Sequence, residues 1–242
     1  MPVTGCPVNA YLKSLQEANI IGVGAGKSVE EAQAPAVVEI KDKGRVIIFS
    51  FGSPTSGIPP SWAASKDQPG VCLIDLSDTS VRSIQGKVKE VKRQGDVVVA
   101  SIHWGGNWGY RIPSDQIEFA HNLIDHAQVD VVYGHSSHHV KGIEIYRGKP
   151  VIYGCGDFLN DYEGIGGHED LRSDLGLMYF VSMDPASGRL AHLLMTPTRV
   201  RRFRVQRASG AEALWLRDIL RREGIQFGTS PNLDHDNRLT LQ

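Results

Sequence analysis

The stretch Asp96-Val97-Val98-Val99-Ala100-Ser101-Ile102-His103-Trp104-Gly105 decides the fold. From Val97 to Ile102 it is apolar at every position but Ser101, and it is bounded by Gly95 and Gly105. A run of this kind predicts a strand buried on both faces, as in a parallel or mixed sheet covered by helices. The flanks agree. Upstream, Asp78 to Gln94 sets Val81, Ile84, Val88 and Val91 on one helical stripe. Downstream, Ser114 to Ala127 does the same with Ile117, Ala120, Leu123 and Ile124, and Val129 to Tyr133 reads as a second buried strand. Two successive helix-then-strand units predict an α/β layered fold.

Further out, residues 8–18 carry apolar side chains at helical spacing, and Ile20 to Val23 reads as a short strand. Ser28 and Glu31 form a capping-box pattern over a helix that Pro35 stops. Ala36 to Ile40 and Arg45 to Phe51 are predicted strands joined by Asp42-Lys43-Gly44. A Pro- and Gly-punctuated loop over 52–70 precedes a predicted strand from Val71 to Asp75. The second half turns to hairpins: Gly142 to Tyr146 with Pro150 to Cys155, and Leu177 to Met183 with Leu190 to Met195. Arg199, Arg201, Arg202, Arg204 and Arg207 read as a basic strand over 199–207. Ser209 and Glu212 cap a last helix closed by Gly224. We expect one domain over residues 1–205 and a C-terminal helix and tail over 206–242.

The chain has 242 residues, with 26 Lys and Arg against 27 Asp and Glu, a formal charge of −1. No excess of positive charge exists to displace counterions, so nucleic acid is not an expected partner. No apolar run approaches the roughly 20 residues that a bilayer crossing demands. The N-terminus lacks a basic stretch followed by an apolar core, so a cytoplasmic location is expected. Cys6, Cys72 and Cys155 show no C-x-x-C spacing and are expected to be reduced.

Chemistry concentrates after the predicted strands. Ser101-Ile102-His103-Trp104-Gly105 ends one, and Val132-Tyr133-Gly134-His135-Ser136-Ser137-His138-His139 follows another. Ligands of open α/β sheets bind beyond the carboxyl ends of the strands. His103, His135 and His138 are therefore the candidate metal ligands, because neutral imidazole suits zinc, iron and similar ions. His139 is ambiguous. His121, His126, His168, His192 and His235 are expected to be ordinary surface or hydrogen-bonded residues. A third segment, Gly156-Asp157-Phe158-Leu159-Asn160-Asp161-Tyr162-Glu163, brings carboxylates past a further strand; Asp157 is the candidate catalytic or ligand-orienting group. Gly22-Val23-Gly24-Ala25-Gly26-Lys27-Ser28 imitates a phosphate loop but fails on spacing, since glycine would have to replace Ile21.

Taken in order, Gly24-Ala25-Gly26 with Glu31, Ala32 and Pro35, His103-Trp104-Gly105, Gly134-His135-Ser136-Ser137-His138 and Tyr153-Gly154-Cys155-Gly156-Asp157-Phe158 resemble the CapA-type capsule-synthesis (poly-γ-glutamate synthesis) family. That family is similar to the calcineurin-like metallophosphoesterases. The resemblance runs from about Leu12 to Phe180. It implies a layered sandwich of mixed β-sheets flanked by helices. It matches His103 to a late metal-binding histidine, and His135 and His138 to the final histidine pair, here separated by two residues rather than one. The family's G-N-F motif stands as Gly156-Asp157-Phe158. The family's opening Gly-Asp, Asn-Leu-Glu and Asn-Asn-His segments have no counterpart, so a domain incomplete at its N-terminal edge is expected.

The resemblance implies a capsule-synthesis protein with a metal-dependent, phosphoesterase-like hydrolase site. The divalent ion would be Mn, Fe or Zn, held weakly or at partial occupancy. The expected partner is an acidic polymer or a phosphate ester. The alternative is a non-catalytic relic or polymer-binding component with a vestigial metal site.

Overall fold

The computed structural model describes residues 8–160 and 167–241. In chain order the elements are α1 (Val8–Glu17), β1 (Ala25–Gly26), α2 (Val29–Gln33), β2 (Ala36–Ile40), β3 (Gly44–Gly52), β4 (Gly70–Val71), α3 (Asp78–Val91), β5 (Val97–His103), α4 (Ser114–His126), β6 (Val131–His135), β7 (Ile143–Tyr146), β8 (Lys149–Ile152), β9 (Leu175–Asp184), β10 (Arg189–Arg201), β11 (Arg204–Arg207), α5 (Gly210–Gly224), β12 (Asn232–Leu233) and β13 (Leu239–Leu241).

Six strands form a mixed sheet in the order β2-β3-β5-β6-β8-β7. The central four are parallel, and β2 and β7 close the edges antiparallel. Parallel neighbours need crossovers, and α3 and α4 supply them on either side of β5. Val81, Ile84 and Val88 of α3 and Phe119, Ala120 and Leu123 of α4 pack on Ile47, Phe49, Val98, Ala100, Ile102 and Val132 in one core. A second, antiparallel sheet runs β11-β10-β13-β12, with β9 along the other side of β10. Its Leu175, Leu177, Leu193 and Met195 share a core with Leu216, Ile219 and Leu220 of α5 and with Ile143 and Ile152 of the first sheet. The α/β layered arrangement of mixed sheets and helices is thus present.

Several elements differ from their sequence-based expectation. β5 is fully buried on one face only: Val98, Ala100 and Ile102 are enclosed, whereas Val97, Val99, Ser101 and His103 are half-buried. The helices cover the first face. On the other face, toward β3 and β5, the two sheets leave a cleft of about 690 Å³ lined by Val97, Val99, Val131, Tyr133, Tyr179 and Val181 among others. Ile20 and Ile21 are exposed and unpaired; pairing begins at β1, whose partner β4 is all that forms of the strand expected over 71–75, apart from a lone bridge at Leu73. The basic strand expected over 199–207 is a hairpin. β10 ends at Arg201, the chain reverses through Arg202 and Phe203 at positive φ, and β11 returns. The acidic residues Asp161 and Glu163, and Cys6, lie outside the described residues.

Candidate functional site

Strand register builds the site. β5 and β6 pair in parallel so that His103 stands opposite His135 at the carboxyl edge. The register is pinned from the far end by the buried Asp130, which accepts from the Val98 N–H at 2.9 Å and from Lys92 and Lys149 at 2.7 Å each. The side-chain period of two puts Ser101 and His103 on one face of β5. Gly134 is required beside them, because a Cβ there would lie 2.4 Å from Trp104 Nε1 and 2.5 Å from the Tyr153 carbonyl.

The Nδ1 atoms of His103 and His135 face each other 2.9 Å apart, and Ser101 Oγ lies 3.1 Å from His135 Nε2. Burial, reinforced by His103, pushes His135 down to about 4. Burial and then the charge of His138 also lower His103. Both imidazoles are therefore neutral at neutral pH. In one arrangement, one Nδ1–H donates to the other Nδ1. In the other, both Nδ1 lone pairs face a shared cation and the Nε2–H of His135 donates to Ser101. The 2.9 Å spacing is close to that of two nitrogens each about 2.0–2.1 Å from one ion at nearly a right angle.

His138 is brought back to this edge by a strained turn. Ser136 takes φ of 125°, and its hydroxyl donates to the Gly105 carbonyl at 3.0 Å. The His138 N–H donates to the Asn107 carbonyl at 3.1 Å. His138 Nδ1 then lies 3.1 and 3.2 Å from the two oxygens of Asp157, which also accepts from Asn160 at 3.0 Å. A carboxylate on Nδ1 fixes the tautomer and leaves Nε2 as the donor lone pair, the usual way a ligating histidine is oriented. The structure thus joins His103 to His135 and His138 to Asp157. Among the described residues, no group of three or more His, Cys, Asp or Glu side chains is arranged to hold one metal ion.

Other residues at this edge escaped the sequence reading. The Trp108 ring lies 5.1 Å from that of His138 and stacks on His168 at 4.1 Å. No sequence spacing signals the approach of His168. His139 is buried, and its Nδ1 contacts the Val140 carbonyl at 3.0 Å while Nε2 has no partner. His121 is structural: it pairs with Glu144 at 3.0 Å and stacks on Tyr146. The phosphate-loop imitation has its Lys27 N–H already bonded to Glu31, and α2 behind it is one short turn. Cys72 and Cys155 are buried free thiols with raised pKa, Cys72 to about 11.

This geometry defines an α/β protein with a histidine-lined site at the carboxyl edge of its mixed sheet. The chain matches the family described as bacterial capsule synthesis protein PGA_cap over residues 7–162, and it belongs to that family. It is 48% identical over 230 residues to a probable polyglutamine synthesis accessory protein of Mycobacterium tuberculosis, covering 94% of this chain and 60% of the relative. It is 30% identical over 144 residues to the PGA biosynthesis protein CapA of Bacillus subtilis, covering 59% of this chain and 35% of that protein. The chain therefore spans no more than about 60% of the length of these relatives. A solved phosphatase of Mycoplasma pneumoniae overlaps 73% of this chain and 56% of its own, with a TM-score of 0.39 and 11% identity.

Proposed function

We propose that this chain serves in the synthesis of a polyglutamate-type capsule polymer and that its histidine edge is a metal-dependent, phosphoesterase-like hydrolase site with weak metal affinity. The observation that carries the reading is the pair of neutral imidazoles whose Nδ1 atoms face each other at 2.9 Å. Two such donors fit one divalent ion such as Mn, Fe or Zn. A bound ion would supply Lewis acidity to an ester or amide oxygen. The chain's own residues do the rest. Ser101 meets His135 Nε2 in either tautomer, Asp157 holds the His138 ring in place, and Trp108 packs beside that ring. The relatives' names, which speak of polyglutamine and PGA synthesis, support the polymer assignment.

A second reading, a non-catalytic polymer-binding part, is favoured by one fact: His103 and His135 are not joined by a third closing ligand among the described residues. Purified chain, dialysed and then loaded with manganese or zinc, distinguishes the two. We expect weak, substoichiometric metal that falls in His103→Ala and His135→Ala, together with hydrolysis of a generic phosphomonoester lost in the same variants. Metal content unchanged by both substitutions refutes the metal site. Metal without hydrolysis supports the binding reading.

A further inference from the structure

Lys141 lies in the segment that carries His135 and His138. It is 4% exposed, and no hydrogen bond or ion pair reaches its amine among the described residues. The contrast with Lys92 and Lys149 is direct, since both place their amines 2.7 Å from Asp130. Burial lowers the Lys141 pKa, and among the described residues no carboxylate opposes that shift. Two described acids of this region have other partners: Asp157 meets His138 and Asn160, and Glu144 meets His121 and Tyr153.

The stem of Lys141 is held in place. Its N–H donates to the Gly154 carbonyl at 2.9 Å. A Cβ on Gly154 would lie 2.8 Å from Lys141 Cγ and 2.4 Å from Ser137 Oγ, so glycine there makes room for the stem under the loop between His135 and His138. The enclosed atoms without a partner include Tyr110 Oη and His139 Nε2 but not the Lys141 amine, whose end therefore keeps an opening to the surface. An ammonium buried this far without an anion is unfavourable until one meets it.

We propose that Lys141 is an oxyanion-recognition residue whose amine receives a carboxylate or phosphate oxygen of a ligand bound at the histidine edge. The naming of that ligand as an acidic polymer rests on the function proposed above; the oxyanion site itself does not. The test is therefore made on metal-stripped full chain. Inorganic phosphate and a short γ-linked glutamate oligomer are titrated separately, with binding and the thermal midpoint as readouts.

At least one probe is expected to bind wild type and raise its midpoint, and Lys141→Met to weaken that binding by about tenfold or more. Lys141→Met without probe should melt no lower than wild type, because it keeps the stem and removes an unmet charge. A response to phosphate alone assigns a phosphate ester, and a response to the oligomer alone assigns the polymer; either supports the site. No response of wild type to either probe, or equal responses of wild type and variant, overturns it. Lys141→Gln gives the same readout should the methionine variant be insoluble. Oxyanion binding that survives a negative metal result separates this inference from the metal reading.

Discussion

Acidification tests the electrostatics of the histidine edge through His139, which is 1% exposed. Burial pushes its pKa from 6.5 down to about 4, and the charges of Lys141 and His138 act the same way. The Val140 carbonyl and Asp157 oppose that shift without cancelling it. The Tyr110 ring packs edge-on against the imidazole at 4.8 Å and brings no compensating charge. The folded pKa lies below the unfolded one, so the fold favours the neutral ring. Its contribution is whole above pH about 6.5 and is lost as pH falls toward about 4. Between an unfolded value of 6.5 and a folded value of about 4, at about 1.4 kcal/mol per pH unit, the difference is about 3 kcal/mol. The control is His139→Asn, which keeps an N–H near the Nδ1 position facing the Val140 carbonyl and gains no proton in this range. Urea denaturation at steps from about pH 7.5 to about pH 4 gives both stability curves. The wild type should lose about 3 kcal/mol more than the variant over that span. Parallel curves would refute the reasoning, because they would mean that His139 charges in the fold as readily as in the unfolded chain.

Three further outcomes are expected. Asp157→Asn leaves His138 without its carboxylate and should lower metal affinity, or hydrolysis where present, by about 10–100-fold, read by metal titration and initial rates. Asp130→Ala removes the acceptor of the Val98 N–H and leaves the Lys92 and Lys149 amines only the Gln128 and Val129 carbonyls, and should cost about 1–3 kcal/mol in chemical denaturation. Gly134→Ala drives a methyl against Trp104 Nε1 and the Tyr153 carbonyl; a loss of about 1–3 kcal/mol is expected from the same measurement, with a change in Trp fluorescence.

The central strands and their helices were legible because burial writes a period into the sequence. The stripe Val81, Ile84, Val88 and the run Val97 to Ile102 each match the element they form. The errors lie where the determining contact is distant. Half-burial of Val97 and Val99 depends on how far β9 reaches across the sheet, which no local pattern records. The reversal at Arg202 and Phe203 lacks a glycine, so the hairpin from β10 to β11 carried no turn signal. β12 and β13 are too short to show alternation.

For the site, residue type and position after a strand nominated His103, His135, His138 and Asp157 as candidates, because strand ends beside glycines are where imidazoles can meet a ligand. Tertiary structure alone decided how they combine. Parallel register sets His103 against His135, a strained Ser136 returns His138 to the edge, and a loop beyond β8 delivers Asp157 to it. The physical reason is range: periodicity and turn chemistry act over a few neighbours, whereas these pairings join residues separated by 19 to 32 positions. That the Lys141 amine has no partner among the described residues is likewise a tertiary fact, visible only in the folded chain.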